Sequence, residues 1–508
     1  MPEDDPPPSL SARTLTGAGW VLVWRMSTRA LGIINTIVLV RLLAPADFGL
    51  VALATAMAQV VESLSAIGVA DAIVREKDAD RTLYDTGFTM NFLRGLAMSV
   101  LIAACAWPLA AFFNDPRLLN IQLVLAATLL LSALENIGVV EFRRNLAFDK
   151  EFQLALVPRI AGIAVSITIA VLFANYWALV AGIVTTRVLR VAASYWLHPH
   201  RPRFTLRSWR RLIGFSFWTW LTTMVLVVRD RIDTLVIGRV LGPVKVGIYA
   251  VGLEIGSLAS TELLEPLTIA LFAGFSAGRR AGTDMADGYF KAISAAFLLT
   301  LPMGAGLAIM AHPLIALMFG AQWLEAVPLV RIFALTGMVK VVAYFSGVLL
   351  NAHGLIHLQF RILATSTVAR VLVLFVLIGP FGLLGAAAAA AVCVLLEEAM
   401  FLFVCFRHFR LSPLKLVRGS WRCALATGGM AAVLLWVGFG AAHEVVSPMA
   451  LLRDLAAGVP LGMAVYTALL LTLWLATGRP PGAEAMFLDI FGGAMRRFAP
   501  GLSIWKLW

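Results

Sequence analysis

The feature that most constrains this chain is a succession of fourteen hydrophobic runs, each bounded by charges, proline or glycine. A helix needs about 20 apolar residues to cross the hydrocarbon core of a bilayer, and each run is long enough. Runs of this length favour helices over barrel strands, so we predict an all-α polytopic membrane protein. The predicted limits are 16–42, 46–74, 85–113, 118–140, 152–174, 176–198, 212–241, 245–275, 289–311, 325–350, 357–379, 381–406, 420–440 and 451–476.

Composition excludes a water-soluble enzyme. The chain is 60% hydrophobic and 14% charged, whereas a soluble domain is about half apolar and a quarter charged. The four cysteines lie in or beside hydrophobic runs without a Cys-x-x-Cys pair, which predicts neither a disulfide framework nor a zinc site. The sequence has no Walker A, Rossmann or His-Glu-x-x-His motif, and we expect no catalytic residue, metal or cofactor.

The distribution of positive charge predicts the orientation. When residues in the first or last five positions of a run are counted with the adjoining loop, 25 of the 41 Lys and Arg residues fall in the N-terminus, the C-terminus and the loops after even-numbered runs. Five fall in the loops after odd-numbered runs, and the other eleven lie deeper inside the runs. Because basic loops stay on the cytoplasmic side, we predict that both termini are cytoplasmic. The net charge of +12 is then expected to contact anionic inner-leaflet lipids and not nucleic acid.

The chain also repeats itself at an offset of 198 residues. INTIVLVRLLAPADFGLVALA (34–54) aligns without a gap with IDTLVIGRVLGPVKVGIYAVG (232–252). This register places run 1 on run 7, so the unit of duplication is six helices, and an even-numbered unit keeps both copies in one orientation. We therefore predict two parallel six-helix lobes enclosing a central site, the architecture of a transporter.

The predicted organisation follows from the runs and the repeat. The segments are an N-tail (1–15), an N-lobe (16–198), a basic linker (199–211), a C-lobe (212–406), a basic loop (407–419), helices 13 and 14 (420–476) and a tail (477–508) with the pattern of an amphipathic surface helix. The short apolar stretch 312–323 cannot span the membrane, and we predict an interfacial or re-entrant segment there.

Eleven basic residues lie inside the predicted spans, where each costs about 2.5–3.5 kcal/mol at a helix centre. Arg187 and Arg190 lie close enough to the cytoplasmic end of their run to snorkel. Arg25 and Arg29 are one turn apart near the midplane, and no acidic residue is close to them in sequence. We therefore predict that these two bind the anionic part of a substrate. In run 7, an intrahelical ion pair between Arg229 and Asp233 is the alternative to a binding role.

The full set of predicted site residues is larger than this pair. The predicted substrate-binding residues are Arg25, Arg29, Arg94, Arg159, Arg229 and Arg231, and the ion-coupling candidates are Glu62, Asp230, Asp233 and Glu254. Pro302, Gly304 and Gly306 predict a kink that acts either as a gating hinge or as a static feature of helix packing.

Three segments resemble a known family: VRLLAPADFGLVALA (40–54), LYDTGFTMNFLRGL (83–96) and EFRRNLAFDKEF (141–152). They are similar to the polysaccharide transporter branch of the multidrug/oligosaccharidyl-lipid/polysaccharide exporter superfamily, and most similar to flippases of the colanic-acid type. The resemblance, which spans essentially helices 1 to 14, implies a V-shaped fold of two six-helix lobes. It also implies an inner-membrane carrier that moves undecaprenyl-diphosphate-linked oligosaccharide to the periplasmic leaflet for exopolysaccharide or O-antigen synthesis. A polymerase and a chain-length regulator are the partners expected from the same pathway.

Three alternatives stay open. A flippase for the peptidoglycan lipid precursor also has cavity arginines, so arginine alone does not separate it from the exopolysaccharide branch. A multidrug or cation antiporter of the same superfamily should have an acidic and aromatic cavity. A membrane polymerase or ligase should carry catalytic residues in a sizeable outer loop, and the longest predicted outer connection here is about a dozen residues around 440–450.

Overall fold

A computed structural model describes residues 10–63, 68–76, 78–145, 147–212, 217–281, 285–440, 447–480, 482 and 484–485. Side chains in the first helix are described from Met26 onward, so that of Arg25 lies outside the described set. The α-helices in these residues are α1 (Leu10–Leu42), α2 (Pro45–Ser63), α3 (Val69–Arg75), α4 (Arg81–Phe113), α5 (Arg117–Ser132), α6 (Val140–Arg144), α7 (Phe148–Phe173), α8 (Trp177–Leu197), α9 (Trp209–Leu212), α10 (Phe217–Leu241), α11 (Pro243–Ala281), α12 (Ala286–Ile309), α13 (Ala311–Met318), α14 (Val327–Val339), α15 (Val341–Ala352), α16 (Ile356–Phe409), α17 (Pro413–Trp436) and α18 (Pro448–Ala476).

The predicted fold class is confirmed, because every predicted run coincides with one or two of these helices. Seven helices of the described chain are long and apolar enough to cross a membrane, and the bent pair α5–α6 makes eight. α16 has 54 residues and contains the whole of predicted runs 11 and 12, with non-helical backbone angles at Gly382, where run 12 begins. The number of fourteen spans stays a prediction.

Three predicted spans are divided between helices instead of continuous. Run 2 becomes α2 and α3. Run 4 becomes α5, a 3-10 turn at Ile137–Val139 and α6, with a bend of 68° between the two halves. Run 10 becomes α14 and α15, which are separated at Lys340. These breaks are not evident from the sequence, because apolar residues continue on both sides of each one.

The short stretch after α12 behaves as its length requires. α13 (Ala311–Met318) has eight residues, about 12 Å at 1.5 Å per residue, which cannot cross a bilayer. A 3-10 turn at Ala321–Ala326 follows it. The predicted amphipathic tail lies outside the described residues beyond 485.

The chain forms two compact units, unit 1 (Met1–Gly247) and unit 2 (Ile248–Trp508). Unit 1 includes α10, which packs along α2, although the repeat assigns α10 to the second copy. Compactness does not reveal which helices were duplicated together, so the predicted lobe boundaries stay a prediction.

The two copies of the repeated segment meet inside unit 1. A Cβ added to Gly49 would lie 1.6 Å from the Pro243 carbonyl oxygen, and one added to Gly247 would lie 2.0 Å from the Pro45 carbonyl oxygen. Pro45 and Gly49 are the repeat equivalents of Pro243 and Gly247, so the contact is reciprocal, as a local two-fold axis requires. Glycine at both positions permits the close backbone approach.

Candidate functional site

The break between α5 and α6 is organised by one buried asparagine. The Asn136 side-chain oxygen accepts the Gly138 N–H at 3.0 Å, and its side-chain nitrogen donates to the His200 carbonyl oxygen at 2.7 Å. The Asn136 backbone N–H donates to the Ser194 hydroxyl on α8 at 3.0 Å. Asparagine competes for backbone groups in this way, so the helix stops here without leaving these polar groups unsatisfied.

Beside this break lies a cavity of about 390 Å³, formed entirely within unit 1. Its size falls within the range of small-molecule sites. The polar and charged side chains that line it are Glu62, Asn91, Arg94, Ser132, Glu135, Asn136 and Arg187. We call the cavity with this lining the unit 1 cavity. Charged groups inside membrane-spanning helices are expensive, and a cavity lined by them points to a ligand pathway.

Two ion pairs connect α8 to the wall of the cavity. Arg190 Nε lies 3.1 Å from Glu135 Oε2, and Arg187 Nη2 lies 3.9 Å from Glu62 Oε1. Arg187 also donates to the Ser132 hydroxyl at 3.4 Å. Residues three apart share a helix face, so α8 presents both guanidinium groups to the same region. The two arginine side chains remain 39% and 41% exposed, so neither ion pair is sealed.

Arg94 projects from α4 into the same cavity, within electrostatic range of Glu62. The cavity lining therefore combines two guanidinium groups, two carboxylates, two amides and a hydroxyl. Guanidinium forks bind phosphate or carboxylate through paired hydrogen bonds, whereas carboxylates accept hydrogen bonds from hydroxyl groups. This donor set suits a ligand that carries both anionic and hydroxyl groups.

Arg159 on α7 and Arg29 on α1 lie near one contact between these two helices, outside the unit 1 cavity lining. Arg159 on α7 reaches α1, where its Nη2 is 2.8 Å from the position of a Cβ on Gly32. Gly32 is three residues after Arg29 and shares its helix face. Arg29 is half-buried there, and the side chain of Arg25 lies outside the described residues.

The remaining candidates are on α10, α11 and α12. Arg229 donates to Asp230 at 3.2 Å, Arg231 is half-buried, and Asp233 is 2% exposed. Glu254 lies on α11 in unit 2, half-buried. These placements leave the predicted binding and coupling roles as predictions.

The predicted hinge lies in α12, which runs without interruption across Pro302. A Cβ on Gly304 would lie 2.3 Å from Met338 Cγ on α14, whereas Gly306 has open space around it. Gly304 is thus a close-packing position, and the gating role of this segment stays a prediction.

Arg94 and Glu62 are predicted from the sequence as site residues, but the arginines of α8 that join them at the cavity wall are not. Arg187 and Arg190 were interpreted as snorkelling residues, because their acidic partners are far away in sequence. The signal that could have found the site is the dipeptide Glu135–Asn136 within an apolar run, since asparagine there favours a break.

The chain is similar to several known proteins. Residues 38–328 match the family described as polysaccharide biosynthesis protein. The chain is 24% identical over 332 residues to the succinoglycan biosynthesis transport protein ExoT of Rhizobium meliloti (strain 1021), covering 65% of this chain and 67% of that protein. It is 23% identical over 361 residues to the lipopolysaccharide biosynthesis protein WzxC of Escherichia coli (strain K12), covering 70% and 73% of the two chains.

A solved structure shares the fold. The lipid II flippase MurJ, in an inward closed conformation, superposes with a TM-score of 0.73 at 14% identity, covering 90% of this chain and 98% of that one. These matches confirm the family resemblance and the all-helical transporter fold.

Proposed function

Because the chain belongs to the polysaccharide biosynthesis protein family, we propose that it is a flippase for undecaprenyl-diphosphate-linked oligosaccharide repeat units. It moves them from the cytoplasmic to the periplasmic leaflet by alternating access, for exopolysaccharide or O-antigen biosynthesis. It is a carrier and not an enzyme, and it lies in the bacterial inner membrane with both termini cytoplasmic.

The observation that carries the proposal is the unit 1 cavity. A lipid-linked oligosaccharide has a tail that lipid accepts, but its diphosphate and its hydroxyl groups are costly to bring into hydrocarbon. The cavity supplies guanidinium, carboxylate and amide groups at the level of otherwise apolar helices. It therefore replaces the hydrogen bonds that the head group gives up on leaving water.

The arginines divide into two groups with different tasks. Arg94 and Arg187 have carboxylates near them, a mixture that suits the hydroxyl-rich glycan. Arg29 and Arg159 lie along the α1–α7 contact, and together with Arg25, Arg229 and Arg231 they bind the diphosphate. The coupling candidates Glu62, Asp230, Asp233 and Glu254 keep that role in the proposal.

Complementation of glycan export tests the cavity. In a host that lacks its own flippase for the same glycan, Arg94→Ala and Arg187→Ala should each reduce export about tenfold or more, in line with the loss of a charged hydrogen bond of about 1.5–3 kcal/mol. Arg453→Ala is the matched control, because that side chain is 79% exposed near the start of α18. Wild-type export from a normally abundant Arg94→Ala/Arg187→Ala double variant would contradict the role of the cavity.

A second experiment tests the arginines that are proposed to bind the diphosphate. The double variant Arg25→Ala/Arg29→Ala should lose export severely, and the corresponding lysine variants should lose part of it, because lysine keeps the charge without the fork. Membrane abundance is measured in parallel by immunoblot. Drug efflux in a hypersensitive strain, with export unaffected by these variants, would favour the antiporter alternative.

Reporter fusions test the orientation. A reporter after Gly242 should be active on the periplasmic side, and one after Arg207 on the cytoplasmic side. The reverse pair of results would overturn the direction of transport.

A further inference from the structure

Unit 2 also contains a broken helix, and a carboxylate from another helix lies at its break. α14 ends at Val339 and α15 begins at Val341, with Lys340 between them. The first N–H groups of a helix have no partner within that helix. Glu398 on α16 supplies a partner for one of them, since its Oε2 accepts the Ala343 N–H at 2.6 Å.

Glu398 is buried beside the start of α15. The residue is 6% exposed, and Val341 and Phe345 on α15 are fully buried. A carboxylate this deeply buried is unfavourable unless it is hydrogen-bonded, paired or protonated. Ionisable residues within membrane-spanning helices are retained for function as a rule, and the transport cycle described above assigns no role to Glu398.

The polar surroundings are compact. The hydroxyls of Tyr289 on α12 and Ser346 on α15 are 2.7 Å apart, and both residues are fully buried. Glu397, the neighbour of Glu398, accepts instead from the Ser366 hydroxyl at 3.1 Å. The charged and titratable residues that the described parts of α12, α14, α15 and α16 place around this region are Lys340, Tyr344, Tyr289, Glu397, Cys405 and Arg331, and Arg331 donates to the Gly440 carbonyl oxygen at 2.9 Å.

We propose that Glu398 binds and releases a proton in the transport cycle, and that the proton controls how firmly α15 is held at the break. The inference rests on the proposed function and names its coupling ion. It does not depend on which glycan is carried.

The coupling follows from the strength of the hydrogen bond to Ala343. A bond to an ionised carboxylate is roughly twice as strong as a bond between neutral groups. When a proton from the aqueous phase adds to the Glu398 carboxylate, the negative charge is lost and the bond becomes neutral. The first turn of α15 is then held less firmly, and the angle at Lys340 is free to change. Release of the proton restores the charged bond.

Infrared difference spectroscopy of the purified full-length protein tests proton binding without a substrate. Lowering the pH should raise the carbonyl-stretch absorption of protonated carboxylic acids in the wild type, in which Glu398 contributes a separate band at high wavenumber because it is buried away from water. Glu398→Gln should remove this band, and Glu397→Gln, the matched control one residue away, should keep it. In proteoliposomes or cells, Glu398→Gln should lower export about tenfold or more at normal membrane abundance, within the range of typical coupling energies.

Several outcomes would overturn the proposal. A band that persists in Glu398→Gln assigns the proton to another group, and a spectral change that follows sodium at constant pH assigns the site to a metal cation. If Glu398→Gln fails to accumulate, Glu398→Asp decides, because it keeps a carboxyl on a shorter side chain and should shift the midpoint of the band; an unchanged midpoint contradicts the proposal. If the proposed function is wrong, only the export result is lost: Glu398→Gln then has no effect on glycan export, while the spectroscopic result is unchanged.

Discussion

Run 4 in unit 1 and run 10 in unit 2 occupy equivalent places in the predicted repeat, and each is divided between two helices, α5 and α6 in unit 1 and α14 and α15 in unit 2. In unit 1 the break is held by the neutral side chains of Asn136 and Ser194, beside an open cavity. In unit 2 the break is held by the Glu398 carboxylate, which is 6% exposed. The two breaks also differ in backbone, since a bend of 68° accompanies the break in unit 1, whereas Lys340 alone, with helical backbone angles, separates α14 from α15. The groups that satisfy the breaks differ in charge.

The signs of the charges are also exchanged between the two places. In unit 1 the acid, Glu135, is next to the break and the base, Arg190, is on α8, which is predicted run 6. In unit 2 the base, Lys340, is at the break and the acid, Glu398, is on the part of α16 that is predicted run 12. Runs 4 and 10 are thus both interrupted, while the side chains at the two interruptions differ. In the proposed transport, the break in unit 1 serves ligand contact and the break in unit 2 serves proton binding.

The largest expected effect comes from the place where the two copies are alike. Gly49→Ala or Gly247→Ala should destabilise the protein by about 3 kcal/mol, the upper end for overpacking, because each new Cβ meets a carbonyl oxygen that cannot rotate away. The measurement is the midpoint of thermal unfolding in detergent, together with membrane abundance. The matched control is Gly428→Ala on α17, where nothing lies within 4 Å of the new Cβ. If both repeat variants behaved like this control, the reciprocal contact would be irrelevant to stability.

An intermediate effect should separate the two breaks. Asn136→Asp replaces a donor to the carbonyl oxygens of His198 and His200 by an acceptor, and should destabilise by about 2 kcal/mol. Glu398→Gln keeps an acceptor for Ala343 and should change stability by less than about 1 kcal/mol. The two unfolding midpoints are compared directly. Equal losses would mean that the two breaks tolerate a change of charge alike, against the comparison drawn here.

The smallest effect concerns the segment that follows α8 and covers the break in unit 1. Burial lowers the pKa of His200 below its usual value, and Asp85, 3.1 Å away, offsets part of that shift. A lowered pKa means that the folded state prefers neutral His200. The neutral His200 side chain therefore contributes its full stabilisation above its pKa in the unfolded state, about 6.5, and this stabilisation is lost as the pH falls below that pKa.

The measurement is the unfolding midpoint between pH 7 and pH 5 for the wild type and for His200→Gln. The wild type should lose stability more steeply on acidification, by less than about 1 kcal/mol. His408→Gln, at an exposed position on α16, should retain the wild-type slope. A steeper loss in His200→Gln than in the wild type would reverse the sign of the argument.

Prediction from sequence succeeded where one local property decides. Run length gave the helices, and the loop charges gave an orientation that is still to be measured. The same reasoning interpreted Arg187 and Arg190 as snorkelling from the cytoplasmic end of run 6, because their partners Glu62 and Glu135 are distant in the chain. It also treated runs 2, 4 and 10 as single helices, since one or two polar residues do not end an apolar run.

The sequence by itself determined the class of fold and the family, because both depend on residue type and spacing along one chain. Tertiary structure decided which charges meet. It brought Arg190 to Glu135 and the Glu398 carboxylate to the Ala343 amide across gaps of 55 residues each. It also brought Gly49 against Pro243. Such contacts depend on how helices rotate and bend against each other, and that rotation minimises the free energy of the whole packed unit, which no single run of sequence encodes.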